Sequence, residues 1–425
     1  MKIALITSFP PSRHALNEYG FHVAEQLRQE RCVDLTVLGD YPATPAEELP
    51  GFKVIRCWGF GKHGNLASLV RALRREKPDV AWFNLGFASF GDRPLSAVLG
   101  LVAPAAARLN GVYSHVTLHQ LFETVDLGDA AIGSHRLYLY RVGGWLATHL
   151  LLSANSLSVL MPAYRRTLDE KYRRGRVSVR LHGIFAGRPD PPDFTRRGNP
   201  THNILAFGKW GTYKRLELLI EAFHRVAAKL PNVKLVVGGS DHPKTPGYVQ
   251  AMAQRYANDR VRFLGYVPEE AIADLFREAS LAVMPYTSSA GSSGVAHLAA
   301  QYGVPVVASG IQDFRDLAEH EGIAIRFFKP GDADSLVEQI LFALNSPDVL
   351  KEMAWRSYAA GVAMSMPRVV REYIQSFRQH ERIKTLQLAA SLRRAGEFHR
   401  PESLARTVGE KIQRWQDEDE IAKTD

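Results

Sequence analysis

Along most of this chain, apolar runs of roughly four to eight residues alternate with stretches whose apolar positions recur every three or four residues. In the first half, "KIALITSF" (2–9) predicts a strand, 17–30 a helix and "VDLTVLG" (33–39) a second strand. "SLVRALRREKP" predicts a helix that Pro78 stops, because the residue before a proline disfavours helical backbone. "DVAWFNLGF" (79–87) and "SHVTLHQLF" (114–122) predict two more strands, the latter opening into a loop over 120–135. The apolar stretch 142–162 contains His149, Asn155 and several serines, so it reads as a helix followed by a buried strand rather than a membrane span. Strand and helix alternating at this pitch predict βαβ units on a parallel sheet.

Residues 187–202, "GRPDPPDFTRRGNPTH", concentrate proline, glycine and charge and predict a linker. The alternation then starts again. "NILAFGK", "VKLVVGG", "VRFLGYV", "LAVMPY" and "AIRFFKPGD" predict strands, separated by helical patterns over 214–230, 247–257 and 268–279. The expected organisation is therefore two Rossmann-like, doubly wound α/β domains, 1–190 and 200–355, with a cleft between them. A third segment, 356–425, is expected to be a crossover helix and helical tail. Within it, 355–380 predicts one helix with apolar positions Val369, Val370, Tyr373, Ile374 and Phe377. The tail beyond 380 carries nine Lys/Arg against nine Asp/Glu, so it is no polybasic anchor.

Length and composition narrow the class. At 425 residues, 46% hydrophobic and 23% charged, the chain is globular and long enough for two cores. Its formal charge of +9 favours anionic partners such as nucleotides, phosphorylated lipids or an anionic membrane face, with a charge excess of no specific use as the plain alternative. Nucleic acid is not expected, since no basic motif interleaved with aromatics appears. Only Cys32 and Cys57 occur, which excludes a disulfide framework or cysteine zinc site and fits a reducing cytoplasm. The first strand begins at once and meets Pro10-Pro11, so no signal peptide is expected.

Candidate chemistry lies mainly in the second domain. No GxGxxG follows the first strand, and no GxxxxGKS/T occurs, which argues against a dinucleotide enzyme and a P-loop. "ILAFGKWGTYK" instead puts Gly208 and Lys209 at a strand end and Lys214 at the start of a helix. Two cations five residues apart at such a turn can reach one diphosphate, though solvated surface lysines would look the same. "TSSAGSSGVAH" (287–297) adds a Gly/Ser nest running into a helix N-terminus after the strand "LAVMPY". Gly291, Ser292, Ser293 and Gly294 would there offer backbone amides to the same anion. Asp332 and Asp334 form a DxD that could suggest a divalent metal, but they follow "KPG" at a helix start, where N-capping is expected instead.

The ordered blocks "GKWGTYKRLELLIEAF", "VKLVVGG", "VRFLGYVPEEAIADLFREASLAVMPY", "YGVPVVAS" and "KPGDADSLVEQI" resemble the retaining GT-B glycosyltransferases of family 4. The likeness is dense over about 200–345 and looser before 190, where "PDVAWFN", "VTLHQLF" and "RLHGI" carry it. It implies a GT-B fold and transfer of a sugar from an activated donor, a UDP- or GDP-sugar, with retention at the anomeric carbon and no metal. By the same resemblance Lys209 and Lys214 clamp the donor diphosphate, and His119, in "TLH", hydrogen-bonds the transferred sugar. His182, in "LHGI", is expected to be packing or hinge.

Two departures qualify the picture. The family's pair of glutamates, one for the sugar and one for the nucleotide ribose, aligns with Ala290 and Leu298, with His297 adjoining the second position. The Gly-Gly loop of the N-terminal domain is replaced by "SRHALNEYG", whose Asn17 and Glu18 are the polar candidates on the acceptor side. Acceptor candidates are a saccharide or a lipid-linked saccharide, with peripheral contact at the inner membrane face through the basic segment 164–180. A degenerate GT-B binding or partner subunit, and a GT-B enzyme using a sugar phosphate without a ribose, remain alternatives.

Overall fold

Thirteen short strands give the fold its frame, in a computed structural model that describes all residues except 13, 44–48, 125–133, 173–176, 188, 195–201, 243–244, 288–291, 395–405, 407, 411, 414 and 416–425, and the side chains of 124, 134–140 and 394. β1 (Lys2–Thr7), β2 (Asp34–Asp40), β3 (Val54–Trp58), β4 (Val80–Leu85), β5 (Tyr113–Leu118), β6 (Ser156–Val159) and β7 (Val177–Val179) form one parallel sheet in the order β3-β2-β1-β4-β5-β6-β7. β8 (Asn203–Phe207), β9 (Lys234–Gly238), β10 (Val261–Gly265), β11 (Leu281–Met284), β12 (Val306–Ser309) and β13 (Ile325–Phe328) form a second, in the order β10-β9-β8-β11-β12-β13. Every residue of β4, β11 and β12 is buried, as continuous apolar runs on two-sided parallel sheets require.

In each sheet the strand order reverses once, between β1 and β4 and between β8 and β11. Helices leave opposite faces on either side of such a point, so a crevice opens at the carboxyl ends of those strands. The β8 and β11 crevice receives Gly208, Lys209 and residues 292–297; the β1 and β4 crevice receives Asn17, Glu18 and, from neighbouring β5, His119.

The predicted helices form at Asn17–Gln29, Asn65–Glu76, Leu216–Lys229, Tyr248–Tyr256 and Glu269–Glu278. Helix Ser134–Leu152 followed by β6 matches the reading of 142–162. Among the described residues, no helix is long and apolar enough to cross a membrane. The linker expected over 187–202 lies partly outside the described residues. The hydrophobic pattern does not single out β3, or helices Pro94–Leu101 and Ala103–Leu109, whose apolar residues lack a polar face.

One helix expected over 355–380 is two, Pro347–Ala363 and Met366–Arg394. Pro367 explains the break: it lacks an N–H and is tolerated only in a helix's first turn. The interruption at Met364 and Ser365 is used, since Ile184 donates its backbone N–H to Met364 O at 3.0 Å. The basic segment 164–180 ends in β7, which pairs with β6. Residues Met1–Val369 form one compact unit and Val370–Asp425 a second, in which Arg382 stacks on Trp415 at 5.7 Å.

Gly239 holds the crevice of the second sheet open. It adopts φ +113°, and a Cβ there would lie 1.8 Å from the carbonyl oxygen of Gly208, a backbone atom that cannot swing aside. Gly239→Ala should therefore destabilise the protein by about 3 kcal/mol or more, whereas Gly61→Ala, at φ +75° with nothing within 4 Å, should cost about 1 kcal/mol. Urea unfolding of the two variants checks the difference.

Candidate functional site

The turn after β8 is built around a buried cation. Trp210 is fully buried and fixed by three bonds: its backbone N–H to Ser240 O at 2.8 Å, its indole N–H to Gly238 O at 2.9 Å, and its carbonyl accepting the His242 N–H at 2.7 Å. A 3₁₀ turn, Thr212–Lys214, then curls the chain back so that Lys214 lies inside while Lys209 stays exposed. The Lys214 ammonium sits 4.6 Å from the Tyr286 ring centre and 5.7 Å from that of Trp210. A Cβ on Gly208 would come within 2.7 Å of that ammonium and 3.4 Å of Val295, so glycine is what lets lysine and the 294–301 helix share one space.

Lys214 is 7% exposed and has no carboxylate partner among the described residues. Burial, and then the charge of Lys209, bring it down to about 8. Tyr286 hydroxyl and Ser292 Oγ are buried without a hydrogen-bond partner among the described residues. A buried cation after β8, packed on a tyrosine after β11 whose hydroxyl lacks a partner among the described residues, is chemistry that could hold an anion. The loop after β11 is tied to this turn, since both the backbone N–H and the hydroxyl of Thr287 donate to Tyr213 O, at 2.8 and 3.1 Å.

Helix Gly294–Gln301 begins at Ser293, whose hydroxyl accepts the Ala296 N–H at 3.4 Å. The amides of Gly294 and Val295 come before the first intrahelical partner, and the macrodipole favours an anion there. Ser293 thus caps this helix and Gly294 opens it, while Gly291 lies outside the described residues. Leu298, aligned with a family glutamate, packs into an apolar cluster with Ala296 and Phe276. Ala290 also lies outside them. His297 is buried and makes two 2.7 Å bonds, one to Ser293 O and one to Glu321 Oε2. Glu321, on the π-helical turn Leu317–Glu321, is a residue the sequence reading passed over. Only the turn's departure from regular periodicity could have pointed to it.

On the other side of the crevice, His119 follows β5. Its Nε2 lies 2.6 Å from Asn84 Oδ1, and Asn84 donates its own N–H to Thr7 Oγ1 at 3.0 Å. With Nε2 donating, Nδ1 is the acceptor, and it has no partner among the described residues. Burial holds His119 down at about 3, so it is neutral. Tyr19 packs edge-on against His119 at 4.6 Å and against His182 at 4.8 Å. His182 in turn lies 4.6 Å from His297, and burial, then the charges of His297 and His119, push it well below the usual histidine range. His182, expected as packing or hinge, therefore lies between His119 and the 294–301 helix.

Asn17 spends its amide N–H on Ser12 O at 2.8 Å, inside a loop that Ser12 and Phe9 fasten to the buried Asp40. Leu16 there takes φ 68°, a left-handed conformation that glycine would adopt without strain. Glu18 is held above the usual carboxylate range by partial desolvation and the charge of Glu269, against the pull of Lys209. That opposition places Glu18 and Lys209 within electrostatic reach of each other. Of the basic segment, Arg165 pairs with Asp169 at 3.3 Å and Arg166 lies 3.9 Å from Asp316. Arg173, Arg174 and Arg176 are outside the described residues. Asp332 caps its helix by accepting the Ser335 N–H at 3.0 Å, and Asp334 pairs with Arg225, so the DxD is structural. Among the described residues, one group has divalent-cation spacing: Asp316, Glu319 and His320, with ligand atoms within 4.8 Å of one another.

Comparison with known proteins bears on the fold. Residues 201–346 match the model of the family described as Glycosyl transferases group 1. The fold is similar to that of sucrose-phosphate synthase from Thermosynechococcus elongatus, with TM-score 0.68 and 19% identity over 90% of this chain and 100% of that one. It is also similar to Anabaena HepE, solved with UDP and glucose, with TM-score 0.64 and 16% identity over 88% and 99%. A third likeness is to the lipopolysaccharide outer core galactosyltransferase WaaB, with TM-score 0.57 and 13% identity over 88% and 99%. No curated protein matches the sequence. The chain has the GT-B fold, and its second sheet lies within the residues that match that family's model.

An anion bound against Lys214 favours the ammonium and raises it above its free position of about 8. Binding then takes up a proton at higher pH. The affinity for a nucleoside diphosphate, whose own ionisations are complete by then, should be level below about pH 8 and weaken by up to about tenfold per unit above it. Lys214→Met should lose both the affinity and the pH dependence, as read by titration calorimetry.

Proposed function

We propose that this protein is a retaining glycosyltransferase that moves a sugar from a nucleotide-diphospho-sugar to a saccharide or lipid-linked acceptor. The observation that carries the reading is the uncompensated ammonium of Lys214 beside Gly208 and the 294–301 helix. As the bond from the anomeric carbon to the donor phosphate breaks, negative charge grows on the leaving diphosphate. Lys214, Lys209 and the amides from Ser292 to Gly294 meet that charge without having to reorganise, which is why they act on the transition state more than on the bound donor. His119, neutral and pinned by Asn84, offers Nδ1 to a sugar hydroxyl and fixes the sugar relative to the phosphate. The departing phosphate oxygen takes the acceptor's proton on the same face, which gives retention without a protein base. Glu18 and Asn17 lie on the acceptor side.

UDP is the first donor base to test, since HepE was solved with UDP. Polysaccharide or glycolipid assembly is the context that fits, given the likeness to WaaB. A cytoplasmic enzyme working beside the membrane is consistent with this role.

A second reading has one observation in its favour. Leu298 is packed in an apolar cluster where the family pattern puts the ribose-binding acid. A sugar 1-phosphate donor, or a subunit without turnover, would have no ribose to hold.

Thermal shift and donor hydrolysis with UDP-, GDP- and ADP-sugars and with sugar 1-phosphates distinguish the readings. The first expects stabilisation by at least one nucleotide sugar and a product whose anomeric proton coupling matches that of the donor. Lys214→Ala should lower kcat by about 10²–10³-fold, as removal of one preorganised donor does. Response to sugar 1-phosphates alone would select the second reading, and response to no donor at all the inactive subunit.

A further inference from the structure

The His297–Glu321 pair takes no part in the chemistry above, yet its geometry bears on it. His297 Nδ1 lies 2.7 Å from the carbonyl oxygen of Ser293, and Nε2 lies 2.7 Å from Glu321 Oε2. Both side chains are 3% exposed. A carbonyl and a carboxylate oxygen only accept, so two such bonds require a ring with hydrogen on both nitrogens. Burial alone would push this imidazole down, but the charge and hydrogen bond of Glu321, with the Ser293 carbonyl, hold it above the usual range.

Ser293 is where the pair's effect arrives. Its carbonyl also accepts the backbone N–H of His297 at 3.2 Å, and its hydroxyl accepts from Ala296 and donates to Met284 Sδ at 3.8 Å. The residue is thus held by its own helix, by the end of β11 and, through His297, by the π-turn. A π-turn carries one more residue per turn than an α-helix, which re-aims the side chain at its end. The titratable groups facing His297 are Glu321 and His182, and His182 is neutral.

We propose that Glu321 is a positioning residue: by anchoring the His297 ring it locks Ser293, and so orients the amides that follow it toward the donor diphosphate. The proposal rests on the donor-site reading. It also accounts for an acid being kept near this helix although Leu298 occupies the family position.

The test uses the full chain with UDP as probe. Glu321→Ala, which removes the anchor, should weaken UDP binding about tenfold and lower kcat about tenfold with acceptor KM unchanged. Glu321→Gln can still hydrogen-bond Nε2 and should stay within about threefold of the wild type, a rescue that simple loss of packing would not produce. Nitrogen NMR of the wild-type protein without nucleotide should show both ring N–H groups of His297 bonded, a readout that needs no variant to fold. A wild type that binds UDP together with a folded Glu321→Ala that binds it equally well would overturn this inference and leave the donor-site reading intact. A single ring N–H on His297, or Glu321→Gln as impaired as Glu321→Ala, would also overturn it. A wild type that binds no nucleoside diphosphate would overturn the donor-site reading, and this inference with it.

Discussion

A lysine ammonium taken out of water is costly, and the second half of this protein is arranged around one that has no carboxylate partner among the described residues. Two aromatic faces, Tyr286 and Trp210, offset part of the cost, each by about 0.5–2 kcal/mol. The rest of the arrangement keeps those faces in place. Trp210 is bonded to the strand beside it, Gly239 lets that strand's end touch Gly208, and Gly208 leaves room for the ammonium. Even the loop after β11 is drawn to the same turn through Thr287. Burial and the charge of Lys209 bring Lys214 down to about 8, a perturbation of the kind that functional sites favour.

The remaining ionisable groups follow from the same low-dielectric setting. Three histidines, His119, His182 and His297, run across the crevice with Tyr19 packed against the first two. One carboxylate, Glu321, reaches this row among the described residues, so one imidazole can be charged at modest cost and the others cannot. The charge therefore goes to His297, on the 294–301 helix, and His119 stays a neutral hydrogen-bonding group. On the function proposed above, this ordering would keep sugar chemistry at His119 electrostatically separate from phosphate chemistry at Lys214.

Much of this was legible beforehand, for reasons that differ by residue. Strands such as β4 and β12 are apolar throughout because both faces are covered, and such runs stand out in any sequence. Lys209 was singled out because it follows a strand end, Lys214 because a helical pattern starts there, and His119 through its place in the family pattern. Glu321 and Asn84 were not, since each acts through a contact far away in sequence, at His297 and His119. The break at Met364 was missed although Pro367 announced it, because the apolar spacing continues on both sides. Lys214 itself was read only as a cation; that it is buried follows from the 3₁₀ turn, which periodicity does not reveal.

Leu298 shows what it takes to lose a charged contact without losing a site. A glutamate at that position, half-buried against the cluster of Ala296 and Phe276, would lose part of its hydration, and leucine carries no such penalty. On the function proposed above, the cost is a lost partner for ribose or sugar hydroxyls. Glu321 ties the helix from outside instead, through a histidine one position before Leu298. Order in that turn would then come from the protein's own charges rather than from the donor's sugar, which would separate how tightly the site holds a diphosphate from which nucleotide it prefers.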